Sequence, residues 1–252
     1  MKKIICLLLV FYSLTFFSCS EENENVNITL KFTHNWDGVP VNSSDFNNFK
    51  FSNANGESIS VDRLRYLVSN IAFNNTSTSQ TNSNTRFLVD VREEKTSLSL
   101  FQIPFSKLKT LSFVFGLRDS DNQDGIYQDL NSASFNVPEM LGGGYHYMQF
   151  DGKYKDTNNQ DSNFNYHAIR AVDRTDPNNL IFEDTSFEVN LGNINITGDA
   201  TIEIKMNIAE WFKNPNLWDL NQLNTVLMPN FNAQKLISAN GKSVFSLGEI
   251  TQ

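Results

Sequence analysis

The stretch NITLKFTH at residues 27–34 decides the fold, because polar and apolar residues alternate through it without a break. Side chains of a β-strand point alternately to the two faces of the sheet, so Ile28, Leu30 and Phe32 share one face. This face is predicted to lie against the core. His34 falls on the same face and is therefore expected to point inward.

Similar short segments recur along the chain, and clusters of Asn, Ser, Asp and Gly separate them. They are rich in phenylalanine, of which the 252-residue chain holds 21. This pattern is typical of an all-β protein, and we expect an antiparallel β-sandwich. Residues 209–212 and 223–236 are predicted to be helical or irregular and to cap the sandwich, as short helices near the C-terminus. Because no linker or fixed-period repeat divides the chain, residues 27–252 are predicted to form a single domain.

Residues 1–18 have the form of a bacterial lipoprotein signal peptide. Two lysines precede an apolar run that is too short to span a membrane, and a small residue stands before Cys19. Cys19 is expected to carry the lipid and residues 19–26 to form an acidic tether. Phe16 stands where such signals usually carry leucine, so ordinary signal-peptide cleavage is an alternative. The segment predicts an outer membrane lipoprotein, periplasmic or surface-exposed.

Charge and cysteine content limit the kinds of function that this protein could have. Loss of the signal leaves 18 basic residues against 28 acidic ones, a net charge near −10, which argues against a nucleic-acid partner. Of the two cysteines, Cys6 leaves with the signal and Cys19 would be lipidated. The folded part therefore has no thiol for a disulfide, a metal site or a nucleophile.

The three histidines all lie in predicted strands. In GGGYHYMQF at residues 142–150, period-2 geometry predicts that His146, Met148 and Phe150 share a face. The next strand brings His167 close to His146 if the register permits. Imidazole with thioether suits copper, particularly Cu(I), better than Mg²⁺ or Ca²⁺. The alternative is that His146 is a core histidine with satisfied hydrogen bonds.

An acidic segment offers a second candidate for metal binding. Asp119, Asp121 and Asp124 lie in DSDNQDG at residues 119–125, which resembles a calcium loop. Such loops alternate their ligands, but Gln123 displaces Asp124 by one position. A calcium site and a solvated acidic turn are both compatible with this spacing.

No catalytic pattern emerges from the chain. It contains no nucleophile elbow, zinc-protease motif, P-loop or dinucleotide-binding motif, so we do not expect an enzyme. Trp36, Trp211 and Trp218 could stack on sugar rings in a glycan-binding module. Trp211 is explained more simply as a packing anchor before a turn.

Several short segments together resemble the MbnP-like family, which is named after a methanobactin-associated periplasmic copper-binding protein and is common as lipoproteins in Bacteroidota. In chain order they are LKFTH (30–34), FSNANG (51–56), VDRLRYLVSNI (61–71), GYHYMQFDG (144–152), His167, WFKNP (211–215) and NGKSVF (240–245).

The resemblance implies a β-sandwich outside the cytoplasm, a copper-binding role and, in some members, a di-haem peroxidase-like partner that oxidises a tryptophan of the site. Residues 137–144, where the family often carries that tryptophan, contain none here. The residue that the resemblance carries over most directly is His167. His34 and His146 follow, and then Met148 and Met140.

Residues and resemblance together predict an exported, non-enzymatic surface lipoprotein that binds copper for capture, storage or delivery. The predicted ligands are His34, His146 and His167, with Met148 as a soft ligand. Two alternatives stay open: a glycan- or protein-binding β-sandwich without metal, and a surface protein stabilised by calcium.

Overall fold

The computed structural model describes residues 25–75, 78–82, 85–104, 110–176 and 178–252. The predicted signal peptide (residues 1–18), Cys19 and most of the tether at residues 19–26 lie outside the described residues. Among the helices that are described, none has both the length and the apolar character needed to cross a membrane.

Most of the regular structure is β-strand. The strands are β1 (Asn25–Trp36), β2 (Val39–Pro40), β3 (Phe49–Ser52), β4 (Ser58–Asn75), β5 (Thr78–Asn82), β6 (Phe87–Asp90), β7 (Ser97–Pro104), β8 (Thr110–Phe115), β9 (Met148–Lys155), β10 (Asp161–Ala168), β11 (Ala171–Asp173), β12 (Ile181–Glu183), β13 (Phe187–Asn193), β14 (Ala200–Asn207) and β15 (Phe245–Thr251). Among the described residues, the α-helices are α1 (Gln128–Ser132) and α2 (Phe231–Gly241). Short 3₁₀ helices lie at Ser43–Asp45, Glu139–Leu141 and Ile208–Phe212.

Two sheets form the sandwich. The five-stranded sheet has the order β15-β14-β1-β2, with β7 also paired to β1. The eight-stranded sheet has the order β10-β9-β4-β8-β13, and β3, β5 and β6 also pair with β4. All pairs within these two sheets are antiparallel except β1 with β14, which run parallel. The predicted β-sandwich is confirmed.

The alternation in β1 works as predicted. Ile28, Leu30 and Phe32 are buried, while the residues between them are exposed or partly exposed. Phe32 of the five-stranded sheet packs edge-on against Tyr66 of the eight-stranded sheet, with 6.2 Å between ring centroids. The core therefore lies between the two sheets and is rich in aromatic side chains.

The pairing of β4, β9 and β10 fixes which residues share a face of the eight-stranded sheet. Tyr66 lies opposite Met148, so both point to the inner face, toward the five-stranded sheet. Gln149 lies opposite both Arg65 and His167. Because neighbours along a strand point to opposite faces, these three side chains belong to the outer face.

The C-terminal helix α2 packs near the end of β10. Asn230 caps its N-terminus, since the Asn230 side chain accepts a hydrogen bond from the backbone of Ala233. From the first turn, buried Gln234 accepts a bond from the backbone of Ile169 at 2.8 Å and donates one to the carbonyl of His167 at 2.9 Å. The helix predicted within residues 223–236 thus begins and ends later than expected.

Candidate metal site

Two of the three histidines meet on the outer face of the eight-stranded sheet. The rings of His146 and His167 are 5.2 Å apart between centroids and nearly perpendicular, at 82°. Both side chains are buried. The register of the β9–β10 hairpin places His167 here, whereas His146 lies two residues before the first residue of β9.

His167 is held by a carboxylate. Its Nε2 lies 2.8 Å from Oδ1 of Asp151, and Asp151 also accepts hydrogen bonds from Arg63 and Asn165. Burial raises the pKa of Asp151, but the bonds from His167, Arg63 and Asn165 outweigh it and hold that pKa well below the usual range of a carboxyl. Asp151 is therefore an ionised acceptor, so Nε2 of His167 carries a proton, and in the neutral ring Nδ1 keeps its lone pair.

His146 is held by the backbone. Its backbone N–H and its ring Nδ1 both donate to the carbonyl oxygen of Phe135, at 2.9 and 3.0 Å. A carbonyl can only accept, so Nδ1 carries the proton and Nε2 keeps its lone pair. Burial, with a further contribution from neighbouring His167, lowers the pKa of His146 from 6.5 to about 4. The ring is therefore neutral at pH 7.

The two nitrogens that keep their lone pairs are also the two that lack partners. Nε2 of His146 and Nδ1 of His167 are both buried, and neither has a hydrogen-bond partner within the described part of the chain. A buried polar atom without a partner costs about 1–3 kcal/mol. Two such atoms on touching rings are candidate metal donors, since imidazole binds a metal through its unprotonated nitrogen.

A short segment before the glycine turn covers the pair. The ring of Phe135 lies 5.6 Å from that of His146, and the guanidinium of Arg65 lies 5.4 Å from the Phe135 ring. Gln149 joins the segment to the sheet, because it accepts from Arg65 at 2.7 Å and donates to the carbonyl of Ser134 at 3.3 Å. These contacts hold the segment over His146. They also fix the carbonyl oxygen of Phe135, which accepts the hydrogen bond from His146.

The other two predicted ligands lie elsewhere. His34 points inward as expected, and its Nε2 lies 3.1 Å from the hydroxyl of Tyr66. Burial lowers the pKa of His34 from 6.5 to about 3. Met148 also faces the core, opposite Tyr66 and Ala168. The structure therefore separates His34 and Met148 from the histidine pair by the thickness of a sheet.

The expectation that His146 shares a face with Met148 and Phe150 is wrong. Residues 145–147 do not continue β9: an isolated bridge pairs Tyr145 with Asn136, and the N–H of His146 turns to Phe135. Side chains alternate strictly between the two faces only within a regular strand. His146 lies before β9 begins, so its direction could not be counted from that of Met148.

The acidic segment is used to support the glycine turn. The backbone N–H of Gly144 donates to Asp124 at 3.3 Å, and that of Tyr145 donates to Asn122 at 2.8 Å. Asp119 pairs with Arg170 at 3.7 Å, and Asp121 accepts from Asn70 at 3.4 Å. The three predicted calcium ligands thus each have a separate partner.

Within the described ranges, no group of three or more His, Cys, Asp or Glu side chains is arranged to hold a metal ion. The histidine pair supplies two donors, and the one carboxylate beside it, Asp151, already accepts from three side chains. The three tryptophans predicted as sugar platforms are all buried. Trp36, for example, stacks on Phe51 with 5.1 Å between centroids.

Sequence reasoning missed Asp151 and Phe135. Asp151 lies opposite Asn165 across the hairpin, and His167 follows two residues later on the same face. Alternation along both strands therefore contained a signal for Asp151. Phe135 contributes its backbone carbonyl, which every residue type possesses, so no signal in the sequence could have identified it.

Comparisons with known proteins agree on one family. A family model described as MbnP matches residues 25–229. Among solved structures, MbnP from Methylosinus trichosporium is similar in fold, with a TM-score of 0.53 and 10% sequence identity, over 77% of this chain and 80% of that chain. No curated protein sequence matches the chain.

Proposed function

Because this chain belongs to the MbnP family, we propose that it binds copper through Nε2 of His146 and Nδ1 of His167. Copper association is the property that the family supplies. The assignment to these atoms rests on one observation: both ring nitrogens are buried, and each has a lone pair and no partner among the described residues. His34 and Met148 are not part of this site.

The chemistry of the two rings suits the ion. Imidazole is a common ligand of copper, and the metal requires the neutral ring. When copper is bound, it supplies a redox-active centre. The protein supplies two fixed nitrogens, a buried setting and an aromatic cover, Phe135, which packs beside His146. Two protein donors leave room for a further ligand, so the arrangement suits capture and delivery as well as storage.

In this proposal, the protein is an exported lipoprotein of the outer membrane, either periplasmic or surface-exposed. The support is the sequence of residues 1–19, with its lipidation signal at Cys19. Its role is binding and not catalysis. A di-haem peroxidase-like partner remains an expectation from the family resemblance. The glycan-binding alternative loses its candidate platforms, because Trp36, Trp211 and Trp218 are buried.

Titration with Cu(I) against a competing chelator, without oxygen, tests the proposal. Wild type is expected to bind one copper ion, and His167→Ala to bind it about 100-fold more weakly, a loss of ~2.7 kcal/mol. Met148→Leu conserves volume in the core and serves as the control, with affinity expected to stay within about twofold of wild type. Wild-type binding no tighter than ~10 μM would refute the proposal.

A further inference from the structure

Asp151 is held by several side chains and lies beside one ring nitrogen of His167, so it can determine which nitrogen of that ring carries the proton. Its Oδ1 lies 2.8 Å from Nε2 of His167 and 2.6 Å from the Nδ2 of Asn165. Its Oδ2 accepts from the Nε of Arg63. Both oxygens are thus engaged by three side chains on β4 and β10, which hold the carboxylate beside His167.

The geometry has a chemical consequence for His167. In a neutral imidazole one nitrogen carries the proton and the other keeps the lone pair. An acceptor-only group beside Nε2 forces the proton onto Nε2 and the lone pair onto Nδ1. Nδ1 is the nitrogen that lies buried without a partner, on the ring that touches His146.

We propose that Asp151 is a positioning residue that selects the Nε2–H tautomer of His167 and thereby presents Nδ1 to copper, with Arg63 and Asn165 holding its carboxylate in place. This inference rests on the proposed function. Asp151 itself does not bind the metal. His146 needs no such residue, because the carbonyl of Phe135 performs the same selection with the opposite ring nitrogen.

Nitrogen-15 NMR of the histidine rings in the metal-free protein tests the proposal directly, since the two tautomers give different spectra. Wild type is expected to show His167 with its proton on Nε2. In Asp151→Asn the amide can donate to Nε2, which moves the proton of His167 to Nδ1. Copper affinity is then expected to fall 10- to 100-fold, the usual effect of losing a residue that orients a ligand.

Two further variants make the result decisive. Asp161→Asn carries the same substitution on β10, where Asp161 pairs with Lys155 at the surface, and should change neither tautomer nor affinity. Asp151→Glu keeps an acceptor-only carboxylate and is expected to retain the Nε2–H tautomer. This variant tests the role of the carboxylate even if Asp151→Asn folds poorly. Asp151→Asn with the wild-type tautomer and affinity within twofold of wild type would overturn the role of Asp151. Copper binding that survives His167→Ala would instead refute the proposed function.

Discussion

Buried histidines lie against both faces of the eight-stranded sheet, and they differ in the partners of their ring nitrogens. On the inner face, His34 reaches across from β1, and its Nε2 lies within hydrogen-bond distance of the hydroxyl of Tyr66. On the outer face, His146 and His167 each place one ring nitrogen in a protein hydrogen bond and leave the other without a partner in the described part of the chain. Burial alone therefore does not distinguish a core histidine from a candidate ligand; the partners of each nitrogen do.

The groups that surround the histidines also differ between the two faces. The ring of His34 lies against Tyr66, which in turn packs against Phe32 and Phe115 in an aromatic interior. Beside the outer pair, two guanidinium groups and a carboxylate accompany the single ring of Phe135: Arg65 lies over that ring, and Arg63 is bound to Asp151. The inner histidine therefore lies among aromatic rings, whereas charged groups lie beside the outer pair.

The largest expected difference between the two faces is in copper affinity. Replacing His146 by alanine removes a proposed ligand and should weaken copper binding about 100-fold, or ~2.7 kcal/mol. His34→Gln removes the inner histidine and should leave affinity within about twofold, measured by the same competition titration on variants whose circular dichroism shows a folded protein. Equal losses in both variants would erase the distinction between the faces.

The second difference concerns stability against pH. Burial lowers the pKa of His34 from 6.5 to about 3, so the folded state favours the neutral ring. Its contribution to stability is complete above pH 6.5 and is lost as the pH falls toward 3, because the unfolded chain takes up the proton first. From pH 7 to pH 5 this histidine alone should cost about 2 kcal/mol.

Urea unfolding of wild type and His34→Leu at the two pH values measures this effect. The leucine variant cannot titrate at residue 34, so its loss of stability between pH 7 and pH 5 should be smaller than that of wild type by about 2 kcal/mol. An identical loss in the two proteins would mean that residue 34 is not responsible for the acid sensitivity.

A smaller effect is expected at the hydroxyl that His34 meets. Tyr66→Phe keeps the ring in the aromatic core and removes only the partner of Nε2, which should lower the free energy of unfolding by about 1 kcal/mol. Copper affinity should not change. Weakened copper binding in Tyr66→Phe would show that the inner pair communicates with the outer one.

The smallest effect is expected from calcium. Asp119, Asp121 and Asp124 each have a separate partner, so about 1 mM Ca²⁺, which fills extracellular calcium sites, should shift the melting temperature by less than about 1 °C. Differential scanning calorimetry with calcium and with a chelator measures this. A rise of several degrees that Asp121→Asn removes would restore the calcium alternative.

The sequence was sufficient wherever a regular strand carried the information. Alternation in residues 27–34 correctly predicted a strand with His34 facing inward, because side-chain direction within a regular strand depends only on counting by twos. The sequence also predicted that the hairpin brings His167 close to His146 if the register permits, and the two rings do meet, but not on the face that was predicted for His146.

The rest depended on contacts between distant segments. His146 lies just before β9, where a bridge from Tyr145 to Asn136 replaces regular pairing, so its direction could not be counted from Met148. The group that fixes its tautomer is the carbonyl of Phe135, eleven residues away in the chain. A backbone carbonyl has no signature in the sequence, and only the fold shows which one is nearby.

X-ray absorption spectroscopy at the copper edge of the loaded protein can show whether the outer histidine pair, and not the inner residues, holds the metal. We expect scattering from two imidazole rings and none from sulfur, with one ring lost in His167→Ala. A sulfur signal, which would implicate a methionine such as Met148, or an imidazole signal that persists undiminished in His167→Ala, would contradict it.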